Sequence, residues 1–155
     1  MTRRVILTFL SFAIAATAVA QQSRKLTADD YTEIQQLYAR YNLAIDTGDA
    51  RAWASTFTPD GVFGNASGHD ALVQFANDFH KRTAGKTRHW NTNIVITPTE
   101  VGATGACYLL LFDTGVKPAS PMTSGRYEDV LVKTYDGWKF ESRTVRPDPI
   151  PKPAA

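Results

Sequence analysis

Asp46 and His89 are the two residues of this sequence best suited to moving a proton. Asp46 falls in the last turn of a predicted helix, on the flank of its apolar stripe and in register with Tyr38 and Asn42. The helix dipole disfavours a carboxylate at that end. Asp46 is therefore interpreted in one of two ways: it faces a pocket as an acid, or it is an exposed residue that leads into the turn at Asp49. Asp49 itself is predicted to cap the next helix.

His89 lies near the start of a predicted strand. Strict alternation assigns its residues to two faces, with His89, Asn91, Asn93 and Val95 on one and Trp90, Thr92, Ile94 and Ile96 on the other. The polar face is either solvated, with His89 as a structural histidine, or it lines a pocket. In a pocket, His89 is a candidate general base, and Asn93 or a tyrosine could hold a developing oxyanion.

Aromatic side chains provide further candidate contacts. Buried tyrosines usually pack in the hydrophobic core, but their hydroxyls can also donate to a substrate oxygen. The candidates are Tyr38, Tyr41, Tyr108 and Tyr127. The side chains predicted to form core or pocket wall are Trp53, Trp90, Trp138 and Phe140. Alternation places Tyr127 and Asp129 opposite to Arg126 and Glu128, and it leaves open which pair points inward.

Neither a metal ion nor another cofactor is expected. The sequence has no His-x-His, His-x-x-x-His or acid-rich loop that would indicate a metal site. His69 and His80 begin and nearly end a predicted helix, and both are assigned to surface or structural roles. The single cysteine, Cys107, excludes an intramolecular disulfide, and its apolar surroundings predict a buried hydrophobe.

Three predicted helices precede the strand-rich part of the chain. The first spans residues 27–47, with Thr27 as its cap and an apolar stripe at three- and four-residue spacing. The second runs from Ala50 to Phe57, and it is followed by a turn at residues 58–61 and a short strand at Val62-Phe63. The third begins at Ser67-Gly68 and ends near residue 84.

Four long segments rich in β-branched and aromatic residues follow, at Thr87–Thr97, Val101–Thr114, Met122–Tyr135 and Trp138–Val145. Turn signals such as Tyr135-Asp136-Gly137 separate them. Helices first and hairpin-linked strands second predict an α+β domain in which three N-terminal helices pack against a curved antiparallel sheet.

The composition fits one globular domain. The chain has 155 residues, of which 43% are hydrophobic, and this leaves no room for a second domain. If Arg3 and Arg4 are removed with a leader, 15 basic and 15 acidic residues remain. Because there is no basic surplus and no long basic cluster, nucleic acid is not an expected partner.

The first 20 residues read as a secretory signal peptide. Two arginines precede an uncharged apolar stretch, and Ala18-Val19-Ala20 provides a small-residue cleavage site. The stretch is too short to predict a permanent membrane anchor. Residues 21–26 are then a short leader, 27–147 the domain and 148–155 a proline-rich mobile tail. A periplasmic or secreted location is expected, by either the general or the twin-arginine route.

The order of several short motifs resembles the SnoaL-like branch of the nuclear transport factor 2-like superfamily, which includes scytalone dehydratase and the small subunits of ring-hydroxylating dioxygenases. The motifs are Tyr41–Asp49 followed by Trp53, Phe57–Phe63, Gly68, Arg88-His89 leading to Asn93, and Asp136–Phe140. The resemblance covers about residues 27–147. It implies a cone, with three helices against a bent sheet and a mostly apolar pocket at the open end.

The resemblance also implies that Asp46 and His89 face this pocket and form a pair. One departure is important: the dehydratase uses a second pocket histidine on a later strand, but here that region is Cys107–Phe112. Dehydration by two histidines is therefore not expected, and one acid with one histidine suits proton transfer beside a carbonyl.

Two functions are compatible with these residues. The first is a cofactor-independent lyase, isomerase or cyclase that acts on a small, apolar, carbonyl-bearing compound, with Asp46 and His89 as catalytic residues. The second is a non-catalytic domain for small-molecule binding or assembly. The predicted substrate-binding residues are Tyr38, Tyr41, Asn42, Trp53, Trp90, Asn93 and Tyr127. A homodimer is also predicted, because the two longest strands would otherwise expose Tyr and Leu side chains.

Overall fold

The computed structural model describes residues 25–149 as three helices and a six-stranded sheet. The elements are α1 (Ala28–Thr47), α2 (Ala50–Ala54), β1 (Phe57–Phe63), β2 (Ala66–Ser67), α3 (His69–Thr83), β3 (Thr87–Pro98), β4 (Gly102–Asp113), β5 (Ser120–Thr134) and β6 (Gly137–Pro147). The α+β class is confirmed. The predicted signal peptide and most of the predicted tail lie outside the described residues.

The strand order in the curved sheet is β2-β1-β6-β5-β4-β3. The four long strands pair antiparallel in chain order, as their turn signals predict. The sheet is nevertheless mixed, because β1 pairs in parallel with β6. This parallel pair joins the helical half of the chain to the last strand, which a hairpin-based prediction does not anticipate.

The start and end of α1 follow from local chemistry. The Thr27 side chain accepts from the Asp30 backbone N–H, and the Asp30 carboxylate accepts from the Thr27 backbone N–H, which forms a capping box. At the other end, Gly48 takes a left-handed conformation with φ of 78°. The apolar stripe of α1 is buried, and its last turn brings Asp46 to the edge of the sheet.

The region after α1 differs from the prediction in its details. Asp49 caps α2 as expected, by accepting from the Ala52 N–H at 3.0 Å. However, α2 ends at Ala54, and Phe57 begins β1 instead of ending the helix. The predicted turn at residues 58–61 lies inside β1, where the pairing with β6 is interrupted. The Pro and Gly residues there produce an irregularity within a strand.

Extra residues in β3 and β6 change which side chains face inward. In β3, Thr92 pairs with Tyr108 and Val95 with Ala106, so Asn93 and Ile94 together oppose Cys107 alone. Asn93 adopts a positive φ of 55°. Asn93 and Val95 are consequently exposed, whereas the predicted alternation placed them on the face of His89. The face assignment beyond Thr92 was wrong for this reason.

The second irregularity lies in β6, opposite the Val130–Leu131 step of β5, where Glu141 is the extra residue. It places Arg143 inward, two strand positions after Phe140. The end of β6 also departs from the prediction, because the strand continues two residues beyond Val145 and Pro147 pairs with Gly125. Pro147 is tolerated because it is the last residue of the strand.

The core lies between the helices and the inner face of the sheet. Its largest members are aromatic: Tyr38, Tyr41, Trp53, Tyr127, Trp138 and Phe140. Tyr127 and Asp129 are the pair of β5 that points inward, while Arg126 and Glu128 lie on the outer face. No helix within residues 25–149 is long and apolar enough to cross a membrane.

Candidate functional site

Asp46 and His89 are in direct contact. The Asp46 Oδ1 atom lies 2.6 Å from His89 Nδ1, and Asp46 Oδ2 accepts from the His89 backbone N–H at 3.0 Å. Both side chains are more than nine-tenths buried. Asp46 is therefore not an exposed turn residue, because both of its oxygens are occupied by one histidine.

The Asp46 contact determines which ring nitrogen of His89 is available. A carboxylate accepts only, so the neutral imidazole carries its proton on Nδ1 and leaves the lone pair on Nε2. Among residues 25–149, no side chain or backbone group hydrogen bonds to Nε2. The ring also packs against Phe79, with centroids 5.5 Å apart. Asp46 and Phe79 thus hold the imidazole in one orientation.

His89 lines a cavity of about 270 Å³ between α1, α3 and the inner face of the sheet. The cavity wall consists of Tyr41, Ile45, Phe63, Phe75, Phe79, Arg82, His89, Leu109, Leu111, Thr123, Tyr127 and Val145. Most of these side chains are apolar. The wall therefore suits a small apolar molecule, with a few polar groups to orient it.

Tyr41 and Tyr127 are the two tyrosines in this wall. Burial raises the pKa of Tyr41 and raises that of Tyr127 well above its ordinary value. Both hydroxyls therefore stay protonated at neutral pH. They hydrogen bond to each other, so one hydroxyl proton of the pair is left to donate to an oxygen in the cavity.

A buried ion pair lies behind these tyrosines. Arg143 makes two parallel hydrogen bonds of 2.8 Å to Asp129, and both side chains are fully buried. The guanidinium carbon lies 4.3 Å from the Tyr41 ring centroid and 4.1 Å from that of Tyr127. Burial by itself lowers the pKa of Arg143, but the hydrogen bonds and charge of Asp129 outweigh it and raise that pKa.

Several predicted substrate-binding residues do not line the cavity. Tyr38 donates its hydroxyl proton to Asp129 and is part of the core. Asn42 donates to Asn91 at 2.8 Å, beside a separate groove between α1 and β3. Trp53 is fully buried and stacks on Phe75, so it supports the cavity wall from behind.

Trp90 and Asn93 lie away from the cavity altogether. Trp90 is 57% exposed and packs on Phe112, with ring centroids 4.3 Å apart. Asn93 is exposed at the irregularity in β3, so it cannot hold an oxyanion in the cavity. Neither residue lines this cavity, because Trp90 faces outward and the strand alternation shifts at Asn93. Trp90 does border the groove between α1 and β3, which His89 also lines.

The remaining histidines and the cysteine lie elsewhere. His69 is exposed, and the ring of His80 fits against Gly48 and Gly85, where any side chain would collide with it. Cys107 is buried, and burial raises the pKa of its thiol to about 11. Within the described part of the chain, no cluster of three or more His, Cys, Asp or Glu residues could hold a metal ion.

The structure also assigns cavity positions to residues that the sequence did not single out. Leu109 and Leu111 follow the alternation of β4, and Phe75 and Phe79 lie one turn apart on α3. No pattern in the sequence indicated that Arg143 faces inward, because this position depends on the extra residue in β6. A larger groove of about 500 Å³ on the outside of α1 and α2 does not contact His89.

The curved α+β fold therefore places the buried Asp46–His89 pair beside an apolar cavity. The chain is a member of the SnoaL-like domain family, which matches residues 26–144. This family includes polyketide cyclases and dehydratases, which suggests an isomerase- or lyase-type activity. No protein with a curated description matches the chain significantly.

Solved structures show the same fold. A Catenulispora acidiphila protein solved in complex with S-DNPA is 35% identical, with a TM-score of 0.70 over 78% of this chain and 95% of that one. A Nostoc punctiforme protein of unknown function with a cystatin-like fold is 28% identical, with a TM-score of 0.74 over 81% and 96%. ActVI-ORFA from Streptomyces coelicolor is 28% identical, with a TM-score of 0.68 over 76% and 97%.

Proposed function

We propose that this protein is a lyase, isomerase or cyclase that moves a proton on a small carbonyl-bearing apolar compound without a cofactor. The observation that carries the proposal is the Asp46–His89 pair, whose histidine lines a small apolar cavity. A histidine whose Nδ1 is held by a buried carboxylate offers Nε2 as a base. The ligand in the Catenulispora acidiphila structure supports small-molecule binding by this kind of domain.

In the proposed reaction, His89 Nε2 takes a proton from the carbon beside the carbonyl. The electron pair moves to the carbonyl oxygen, and the hydroxyl of Tyr41 or Tyr127 donates a hydrogen bond to the resulting oxyanion. Asp46 stabilises the imidazolium that forms and keeps the ring in place. The imidazolium then returns the proton to another carbon, or it protonates a leaving group on the neighbouring carbon.

The proposal is tested by hydrogen–deuterium exchange on 1-tetralone, a neutral bicyclic ketone, in D₂O. We expect the protein to accelerate exchange at the carbon beside the carbonyl, and His89→Gln to reduce that acceleration by about 10²- to 10⁴-fold. Asp46→Asn should reduce it as well, and ¹⁵N shifts of the His89 ring should then show loss of the Nδ1–H tautomer. His69→Gln, at an exposed site, is the matched control.

If 1-tetralone binds without acceleration, the protein is a non-catalytic small-molecule binder, and the enzyme proposal fails. If acceleration survives in His89→Gln, the base has been assigned to the wrong residue. Export into the periplasm or medium is a separate proposal based on the N-terminal sequence. Intact-mass measurement of secreted material should show a chain that begins after Ala20, and a secreted chain that retains Met1 would contradict it.

A further inference from the structure

We propose that Arg82 selects ligands that carry a carboxylate, so that the natural ligand of the cavity is a ring-bearing carboxylic acid. This inference rests on the cavity being the ligand site of the proposed function. It adds a substrate class, and it makes Arg82 a specificity-determining residue.

Arg82 is on the cavity side of α3. Phe75, Phe79 and Arg82 are spaced by four and three residues, which places them along one face of the helix, and all three line the cavity. The guanidinium carbon of Arg82 lies 5.9 Å from the centroid of the Phe79 ring. The arginine therefore continues the aromatic wall with a positive charge.

This charge has no acidic partner. None of the ion pairs formed within residues 25–149 involves Arg82. The cavity wall contains no carboxylate, and its other polar side chains are Tyr41, His89, Thr123 and Tyr127. An exposed guanidinium beside an apolar cavity has five N–H donors available for a planar acceptor, and a carboxylate is the acceptor that fits them best.

The nearest carboxylates are hydrogen bonded to groups other than Arg82. The two carboxylate oxygens of Asp46 accept from the backbone N–H and from the ring Nδ1 of His89. Asp113 borders the adjoining surface pocket together with Arg82, and its Oδ1 accepts from the Gly115 N–H. Lys86 lies in the same surface pocket and adds a second cation. Neither carboxylate forms an ion pair with Arg82, whose guanidinium donors stay available to a ligand.

The wall also has an aromatic surface next to Arg82. The Phe79 ring centroid lies 5.9 Å from the Arg82 guanidinium carbon and 5.5 Å from the centroid of the His89 ring. A ligand with its acid group at Arg82 can therefore place an adjoining ring against Phe79.

A helix C-terminus also favours a cation, and Arg82 lies in the last turn of α3 beside Lys81. This alternative accounts for a positive charge but not for its place in the cavity wall. Lys81 is exposed and does not line the cavity, so it has the helix position without the cavity contact. Lys81→Gln is therefore the matched control for Arg82→Gln.

The experiment compares naphthalene-2-carboxylate with its neutral primary amide by titration calorimetry at pH 7.5, while NMR follows the His89 and Phe79 ring signals. We expect the wild-type protein to bind the carboxylate about fivefold more tightly than the amide. Arg82→Gln should remove this preference, and Lys81→Gln should keep it. Addition of 0.5 M salt should weaken the preference in the wild type, by screening the exposed charge.

Equal affinity of the two probes for the wild type, or a preference that survives in Arg82→Gln, overturns the inference and leaves the proposed function intact. Binding that does not shift the His89 and Phe79 signals also overturns it, because the probe is then outside the cavity. If neither probe binds, the inference fails together with the cavity as a ligand site. The exchange experiment with His89→Gln tests the catalytic proposal separately.

Discussion

Arg143 and Asp129 bring a full ion pair into the aromatic core, where burial of a charge costs several kcal/mol. Hydrogen bonds offset only part of this burial cost, since the Arg143 Nη1 atom has no partner among the described residues. Tyr38 adds a third donor to Asp129, and the guanidinium packs against the rings of Tyr41 and Tyr127. The pair fixes the rear of the cavity wall.

Removal of one charge should be worse than removal of both. We expect Arg143→Met to lower the free energy of unfolding by about 3–5 kcal/mol, because it leaves Asp129 buried without its partner. The double variant Arg143→Met with Asp129→Leu should recover a large part of this loss. Urea denaturation followed by circular dichroism measures both. A double variant as unstable as the sum of the two single variants would contradict this account.

At the scale of elements, the capping box of α1 also connects the helix to the sheet. The Asp30 Oδ1 atom accepts from Lys133 Nζ at 2.7 Å and from the Trp138 indole N–H at 3.0 Å. The hydrogen bond from Lys133, with those from Thr27 and Trp138, lowers the pKa of Asp30 well below its usual range. One carboxylate therefore caps α1 and ties it to β5 and β6.

This lowered pKa predicts an acid-sensitive contribution to stability. A carboxyl group with a depressed native pKa stabilises the fold above its unfolded pKa of about 3.9 and loses that contribution as the pH falls through the native value. We expect Asp30→Asn to cost about 1–2 kcal/mol at pH 7. The difference from wild type should shrink as the pH falls below about 4, as measured by denaturation at several pH values.

Asp29→Asn is the control, because Asp29 is in the same first turn but exposed. It should change stability by only a few tenths of a kcal/mol, up to about 1 kcal/mol, through the helix dipole. If the difference in free energy of unfolding between Asp30→Asn and wild type stays constant down to about pH 2, Asp30 does not stabilise the fold through its charge.

The elements that the sequence predicts well are those whose signals are local. The capping residues Thr27 and Asp49 and the stripe of α1 depend on neighbours a few positions away, and each predicted helix is present. The inward position of Arg143 and the outward position of Asn93 depend instead on extra residues in β6 and β3. An irregularity of this kind is defined by the partner strand, so alternation within one strand does not reveal it.

The candidate site could be predicted from the sequence for a different reason. The Asp46–His89 contact joins residues 43 positions apart, and residue types alone left exposed alternatives open for both. The resemblance to the family supplied the expectation that the two meet in a pocket. Nothing in composition or spacing indicated Arg82, because a cation in the last turn of a helix is ordinary at the sequence level.

At the scale of the whole molecule, the outer face of the sheet exposes large apolar side chains. Trp90 and Tyr108 lie on the neighbouring strands β3 and β4, and each is more than half exposed. Trp90 is paired with Leu110 and Thr92 with Tyr108, so these side chains form one patch. A patch of this kind favours contact with a second copy of the chain.

We therefore expect a homodimer, whose mass by light scattering is twice that of one chain at micromolar concentration. Tyr108→Lys should shift the mass toward that of one chain, because it places a charge in the middle of the patch. Tyr135→Lys is the control, since Tyr135 is fully exposed at the turn between β5 and β6, away from the patch. A wild-type mass equal to one chain would contradict the prediction.

The three tryptophans have a practical consequence for all of these measurements. Trp53 stacks on Phe75 behind the cavity, Trp138 donates to Asp30 at the cap of α1, and Trp90 lies on the outer face of the sheet. The chain contains no other tryptophan. Variants that keep one indole at a time would therefore give separate intrinsic fluorescence signals for the ligand cavity, the helix cap and the exposed sheet face, without any added dye.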